Sequence, residues 1–282
     1  MVEILKTGFY DTIQDLGRIG FQEYGVPISG VMDAYSARLA NAIIGNDTNA
    51  AVIECVASGP QLKCHTNTLI CITGADMSPT LNNTPVKNNM ALMVSKGDII
   101  TFGTRNYGFR IYISVFGGFL SEEQMKSRSM YAGITTNTKL TKGVRLDVSK
   151  IEQPAMMSFS SIKIDKNHFE TNELEVFKGP EFDKLSSNQQ KELFNTEYTI
   201  SKESNRMAYQ CNELFKNSLN PIITSLVLPG TVQVTPSGQL IILMRDCQTT
   251  GGYPRILQLT EQSTNRLSQK FLGSLIRFKC IK

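Results

Sequence analysis

The densest chemistry in this sequence lies in residues 246–255, DCQTTGGYPR. The stretch offers a carboxylate (Asp246), an amide (Gln248), two hydroxyls (Thr249, Thr250) and a phenol (Tyr253), with guanidiniums at Arg245 and Arg255. A carboxylate of this kind can move a proton to or from water. Guanidiniums and the backbone amides around Gly251 and Gly252 can hold a carboxylate, a phosphate or a developing oxyanion. The glycine pair permits positive φ, or lets a ligand approach closely. A polar β-turn has the same composition, so this stretch alone does not decide between a site and a turn.

A second stretch of the same kind sits near the other end of the chain. Residues 14–33 read QDLGRIGFQEYGVPISGVMD and carry four glycines, Pro27 and the polar groups of Gln14, Asp15, Arg18, Ser29 and Asp33, with Met32 beside them. Loops of that length inside a compact domain are usually functional. Asp15 and Arg18 could supply an acid and a cation to a site, or could pair with each other and pin the loop. Two shorter polar loops add Asn205 and Arg206 (residues 203–207) and Arg128 (residues 126–130), for which a solvated arginine is the plain alternative.

The elements that must position these groups are mostly short strands. QLIILM (239–244) runs into the C-terminal stretch and ILQL (256–259) leaves it; residues 231–235 pair with the former about Ser237-Gly238. Strands at 2–7 and 9–13 lead into the N-terminal stretch. Asp33 suits the N-cap of a helix over 34–44, whose end is marked by Gly45, so Asp33 reads as a cap before it reads as a base. Further strands are expected at 51–56, 69–73, 90–94, 99–102, 109–116, 198–201 and 274–280, and one opens residues 174–182 ahead of a Gly-Pro turn. Short helices are expected at 121–126, 186–194 and 261–269, and an Asn82-Asn83 hairpin at 82–83. Short strands joined by turns predict a β-barrel or sandwich, not a Rossmann sheet. LEVFKGPEF (174–182) echoes VIECVASGPQL (52–62), which suggests two related domains, 1–160 and 161–282.

Composition narrows the function classes. With 41% apolar and 19% charged residues, the chain can bury a core. The net charge of +4 is spread along the chain without a basic block, which argues against nucleic acid as a partner. Six cysteines form no C-x-x-C pair, and the N-terminus has no secretory pattern, so reduced thiols in the cytoplasm and no membrane segment are expected. Two histidines make a metal site or a Ser-His-Asp hydrolase a poor fit. Neither common nucleotide loop, G-x-x-x-x-G-K-[ST] or G-x-G-x-x-G, occurs.

Taken together, QDLGRIGFQEYGVPISGVMD, LANAIIGN at 39–46, GAD at 74–76, SRS at 127–129 and DCQTTGGYPRI resemble the allophanate hydrolase subunit 2 family, also called KipA-like or biotin-dependent carboxyltransferase-like. The resemblance runs in order over nearly the whole chain. It implies a mainly β fold of two tandem cyclophilin-like β-barrel domains with a few short helices. Within the family, a stand-alone chain of this length most resembles the branch that supplies the C component of 5-oxoprolinase. That implies ATP-dependent opening of 5-oxo-L-proline to L-glutamate, in a complex with a KipI-like B component and a LamB/YcsF-like A component, and little activity alone. The ATP would be bound by the complex, since this chain shows no nucleotide motif. Two other roles stay open: a carboxyltransferase component needing biotin on a separate carrier, or a regulatory protein that sequesters a KipI-like partner. The resemblance implies Asp15, Arg18 and Asp246 as catalytic. It implies Gln14, Ser29, Met32, Asp33, Arg128, Asn205, Arg206, Gln248, Thr249, Thr250, Gly251, Gly252 and Tyr253 as substrate-binding, with no metal. The family's Asp-Arg-Met-Gly run is replaced here by Asn205, Arg206, Met207 and Ala208, and its Gly-Ser-Arg-Ser-Thr by KSRSM.

Overall fold

Alternating burial sets the first strand: in Val2–Lys6 the side chains of Val2 and Ile4 are fully buried and Lys6 is exposed. In the computed structural model, which describes residues 1–151, 162 and 164–281, the same logic repeats through a mainly β chain. The chain divides into two compact units, residues 1–17 with 33–166, and residues 18–32 with 167–282. Residues 18–32 of the N-terminal polar stretch therefore group with the C-terminal unit. The boundary expected between residues 160 and 161 lies outside the described residues.

The first unit holds two antiparallel sheets. One runs in the order Arg145–Leu146, Val2–Lys6, Gln61–Cys64, Ile99–Thr101, Thr80–Leu81, Thr84–Pro85. The other runs Tyr10–Gln14, Val52–Val56, Tyr107–Val115, Thr68–Asp76, Ala91–Val94. Ile4, Ile13, Ile53, Leu62, Ile72, Ile111 and Ile113 share one core. The helix Ala34–Ile43 buries Ala34, Ala37 and Ala40. These small side chains let it come close enough for Thr73 Oγ1 to reach the Ser36 carbonyl (2.7 Å) and Ser114 Oγ the Ala40 carbonyl (2.9 Å). Where register slips between Tyr107 and Ile111, Gly74 sits at φ +81°, and a Cβ there would lie 2.4 Å from the Arg110 carbonyl oxygen. Only glycine fits that bulge.

The second unit is a seven-stranded sheet in the order Tyr198–Thr199, Leu275–Cys280, Glu173–Lys178, Arg255–Leu259, Thr231–Val234, Gln239–Leu243, Ala208–Leu214. Its one parallel pair among the described residues joins Glu173–Lys178 to Leu275–Cys280. Leu174, Val176, Val232, Ile242, Leu257 and Phe278 form its core, together with Met32 from the 18–32 stretch. Both units are cyclophilin-like β-barrels with few short helices. Among the described residues, no helix is long and apolar enough to cross a membrane. All six cysteines are free, and five are buried.

The helix expected at 121–126 is instead a two-residue hairpin turn. Gln124 and Ser127 exchange both backbone hydrogen bonds (2.8 and 3.2 Å), and Met125 and Lys126 take φ of 53° and 60°. Nothing in those two side chains announces a left-handed pair, which Asn or Gly would have done. Asn82-Asn83 does announce one, and it turns at φ 50° and 66° between paired Leu81 and Thr84.

The helix Ser187–Asn195 begins with a full capping box: Ser186 Oγ accepts from Gln189 N, and Gln189 Oε1 accepts from Ser186 N. Ser186→Ala removes that cap at a cost of about 1 kcal/mol. A small downward shift of the urea midpoint with an unchanged far-UV spectrum is the expected result. No shift would show that the cap adds nothing.

Candidate functional site

In the second unit, Arg206 is the centre of a clasp. The loop before Ala208–Leu214 is shaped by Asn205, whose Oδ1 accepts from Met207 N (2.8 Å) and Ala208 N (3.3 Å). That Asx turn needs only a side-chain acceptor, which asparagine supplies as well as aspartate. It leaves Arg206 nearly buried, at 8% exposure. Arg206 Nε donates to Asp246 Oδ2 (2.8 Å) and Nη2 to Asp246 Oδ1 (3.0 Å), a bidentate fork. Nη2 also donates to the Gly30 carbonyl (2.6 Å).

Asp246 completes the grip on the other stretch. Its Oδ1 accepts from Ser29 Oγ (2.7 Å), and Ser29 N donates to the Arg245 carbonyl (2.9 Å). Ser29 takes φ +58° and Gly30 +86°. A left-handed non-glycine residue costs about 1–2 kcal/mol, so Ser29 is held there by its two bonds. Arg18 is fully buried, with its backbone N–H donating to the Ile28 carbonyl (2.7 Å), and Met32 is fully buried in the unit's core. Met32 therefore packs in the core of this unit.

Both stretches line one pocket of about 120 Å³ within this unit. Gln22, Pro27 and Ile28 come from one side and Arg245, Cys247, Gln248 and Thr249 from the other, with residues 226–229 completing it. Burial, aided by Asp246, pushes the Cys247 thiol up to about 12, so it is not a thiolate nucleophile near neutral pH. Gly251 and Gly252 do not take positive φ. They make room for the chain itself: a Cβ on Gly251 would lie 2.7 Å from Gln233 Nε2, and one on Gly252 3.2 Å from the Ile222 carbonyl oxygen. Thr250–Gly251 pairs with Ser225–Leu226, and the Thr249 and Gly252 carbonyls accept from Val227 and Ile222. Thr250 and Tyr253 are exposed at this edge.

Two further arginines of the unit are held by carboxylates. Arg245 reaches Glu261 (2.6 and 3.2 Å) and Asn265 (2.9 Å). Arg255 forks onto Glu181 (3.1 Å twice) and donates to the Leu226 carbonyl (3.0 Å). Burial works against the Glu181 carboxylate, but hydrogen bonds and charge from Arg255 outweigh it and keep the group below its ordinary value. Arg206, Arg245 and Arg255 thus each carry a carboxylate already. A triphosphate does not fit this donor set.

Gln14, Asp15, Asp33 and Arg128 belong to the first unit. Asp15 is buried, and its carboxylate accepts four hydrogen bonds: Gly17 N (2.8 Å), Ser127 Oγ (2.7 Å) and Ser129 Oγ (2.7 Å) on Oδ1, and Arg128 N (2.6 Å) on Oδ2. Gln14 is fully buried and donates to Thr12 Oγ1 and the Met130 carbonyl. The Arg128 side chain reaches the Ser121 carbonyl and Glu123 (3.1 Å) and lines a pocket of about 210 Å³. Asp33 caps its helix through Ser36 N (3.1 Å) and Ser36 Oγ (2.7 Å), fully buried, as a cap should be. Its backbone N–H donates to Tyr112 Oη, which in turn donates to Glu54 (2.9 Å). Sequence reasoning missed Ser127, Ser129, Glu181 and Glu261 as partners; the serines flanking Arg128 were the one available signal. Among the described residues, no group of three or more His, Cys, Asp or Glu is placed to hold a metal ion.

A family profile described as carboxyltransferase domain, subdomain A and B, matches residues 24–280. The C subunit of the 5-oxoprolinase of Escherichia coli (strain K12) is 32% identical over 284 residues, covering 99% of this chain and 90% of that protein. The urea amidolyase of Lachancea kluyveri is 39% identical over 160 residues, 56% of this chain and 9% of that one. The crystal structure of the K. lactis urea amidolyase superposes with a TM-score of 0.88 at 27% identity, over all of this chain and 19% of that one.

Proposed function

We propose that this chain, which belongs to the carboxyltransferase domain A and B family, is the C component of an ATP-dependent 5-oxoprolinase. It would work with a KipI-like B component and a LamB/YcsF-like A component, in the cytoplasm, to hydrolyse 5-oxo-L-proline to L-glutamate. The observation that carries this reading is the likeness to the C subunit of the E. coli 5-oxoprolinase, which runs over 99% of this chain and 90% of that protein. The geometry supports it by drawing the 18–32 stretch and the 245–249 stretch against one pocket.

A lactam carbon is a poor electrophile. Transfer of the γ-phosphoryl group of ATP to its oxygen makes the carbon reactive; water then adds, the ring C–N bond breaks and phosphate leaves. Arg206, Arg245 and Arg255 already hold carboxylates, which supports leaving ATP to the partners. The roles left to this chain are binding, orientation and exclusion of water. Asp246, Arg206 and Ser29 are positioning residues under this reading, because each spends its polar atoms on fixing the loops. The exposed Leu226 and Leu228 at the pocket's rim, at 74% and 53%, suit a site that a partner protein closes.

The test is to copurify the chain with its two partners and supply 5-oxo-L-proline and ATP. Glutamate and ADP in equal amounts are expected. An intact three-component complex that releases no glutamate would overturn the reading. Turnover that requires biotin and bicarbonate would establish the second reading, a carboxyltransferase component, which the urea amidolyase likeness favours.

A further inference from the structure

The inward face of the strand Tyr10–Gln14 carries a carboxyl where its neighbours are apolar. In the ladder Ile13 pairs with Ile53 and Asp11 with Cys55, and Ile13, Ile53 and Cys55 all belong to the core of the first unit. Side chains two residues apart on a strand share a face, so Asp11 points the same way as Ile13. Asp11 is 1% exposed. Its Oδ2 accepts from Gly8 N (2.6 Å), and its Oδ1 has no hydrogen-bond partner among the described residues. The Cys55 thiol beside it is a weak donor and meets no hydrogen-bond geometry at Oδ1. A Cβ on Gly8 would lie 2.7 Å from that Oδ1 and 2.4 Å from the Ser58 carbonyl oxygen, so two acceptors crowd one spot. We infer that Asp11 is held protonated in the folded first unit, and that losing this proton as pH rises releases the turn at Gly8-Phe9.

Among the described residues, no cation offsets a charge there. The paired strand turns Cys55 toward Asp11. Glu54 lies on that strand's other face, where it accepts from Tyr112 Oη (2.9 Å) and meets Arg110 (3.9 Å). The core that Asp11 enters holds Ile4, Leu62 and Ile100 from the other sheet, with the Cys64 thiol as its further titratable group. Residues 8–9 and 57–59 bear no titratable side chain. Leu140 N donates to the Asp11 carbonyl (2.8 Å), while its neighbour Lys139 is exposed. Tyr10 sends its Oη to the Thr138 carbonyl (3.5 Å). A carboxylate so placed has one N–H to hold it and an acceptor beside it; a proton removes the charge and the clash together. Burial raises the carboxyl above its ordinary value, and the Gly8 N–H and the Cys55 thiol offset only part of that. Stability from such a group is complete below the unfolded value, about 3.9, and is lost as pH rises through the folded value. The turn gives way first, because Phe9 is 78% exposed and is tied down by its N–H to Ser58 Oγ (2.8 Å).

Two measurements on the full chain test this. In carbon-detected NMR with labelled aspartate, the Asp11 carboxyl should still show its acid form at about pH 5, where an ordinary aspartate has ionised. An Asp11 signal already in its ionised form at that pH overturns the inference. Asp11→Asn mimics the acid form, since an amide accepts from Gly8 N and presents N–H toward the Ser58 carbonyl. The ratio of wild-type to variant folding constants should fall by up to tenfold per pH unit from about pH 4 upward, then level once the folded carboxyl ionises. Over the same range, exchange of the Gly8 and Phe9 amides should quicken in the wild type relative to the variant at equal pH. A constant ratio, with exchange alike in the two proteins, overturns the switch. Should the variant not fold, the wild-type titration decides the matter.

Discussion

Asp246→Ala lowers the stability of the second unit by about 3 kcal/mol, read as a drop in the urea midpoint with an unchanged slope. The variant takes from Arg206 the carboxylate that receives its Nε (2.8 Å) and Nη2 (3.0 Å). Breaking a buried pair costs about 3–5 kcal/mol. The lower end applies here because the two side chains keep 10% and 14% exposure. Ser29 loses its acceptor in the same step, and with it one of the two bonds that hold its φ at +58°. The stretch 18–32 then loosens where it lines the pocket. Turnover by the assembled complex should fall roughly 100-fold, the cost of misplacing a substrate by about an ångström. A double-mutant cycle with Arg206→Met isolates the pair. If the two single costs simply add, the clasp does not couple these residues and the explanation fails.

Much of the fold was legible because its signals are local. Asp33, Ser186 and Thr260 each cap a helix through a side-chain oxygen, and each stands just ahead of the pattern it opens. Strands from Val2–Lys6 to Leu275–Cys280 follow apolar alternation or short apolar runs bounded by turns. The hairpin at Met125-Lys126 was not legible, since neither residue marks a left-handed turn. The site was legible as two stretches but not as a set of pairings. Ser29 finds Asp246 across 217 positions, and Arg206 finds Gly30 across 176. Asp15 finds Ser127 and Ser129 across more than a hundred. No periodicity or spacing encodes such partners; packing of the whole unit chooses them. The same holds for Gly251 and Gly252, whose reason is the nearness of Gln233 and Ile222 and not a turn. The echo between residues 52–62 and 174–182 also has a limit. The first copy turns into a second strand, Gln61–Cys64, and the second into the 3-10 turn Phe182–Lys184.

Asp15→Ala should destabilise the first unit by about 3 kcal/mol, because it strips the acceptor from four donors in one buried place. Ser127, Arg128 and Ser129 lie on a loop whose hairpin turn already holds two non-glycine residues at positive φ, so little else in its backbone favours that shape. Asp15→Asn is the sharper variant. An asparagine Oδ1 can still accept from Gly17 N, Ser127 Oγ and Ser129 Oγ. Its amide group, however, meets Arg128 N donor to donor, where Oδ2 now accepts at 2.6 Å. The expected cost is about half that of alanine, on the scale of one buried donor left unsatisfied at roughly 1–3 kcal/mol. If Asp15 acts by clasping this loop, turnover by the asparagine variant falls in step with its stability and recovers on cooling, and the pH profile keeps its shape. A general base behaves differently: asparagine removes the proton acceptor at every temperature and erases the acidic limb of the profile. An asparagine variant that is as stable as the parent yet inert in the assembled complex would assign Asp15 to proton transfer and remove the clasp as its role.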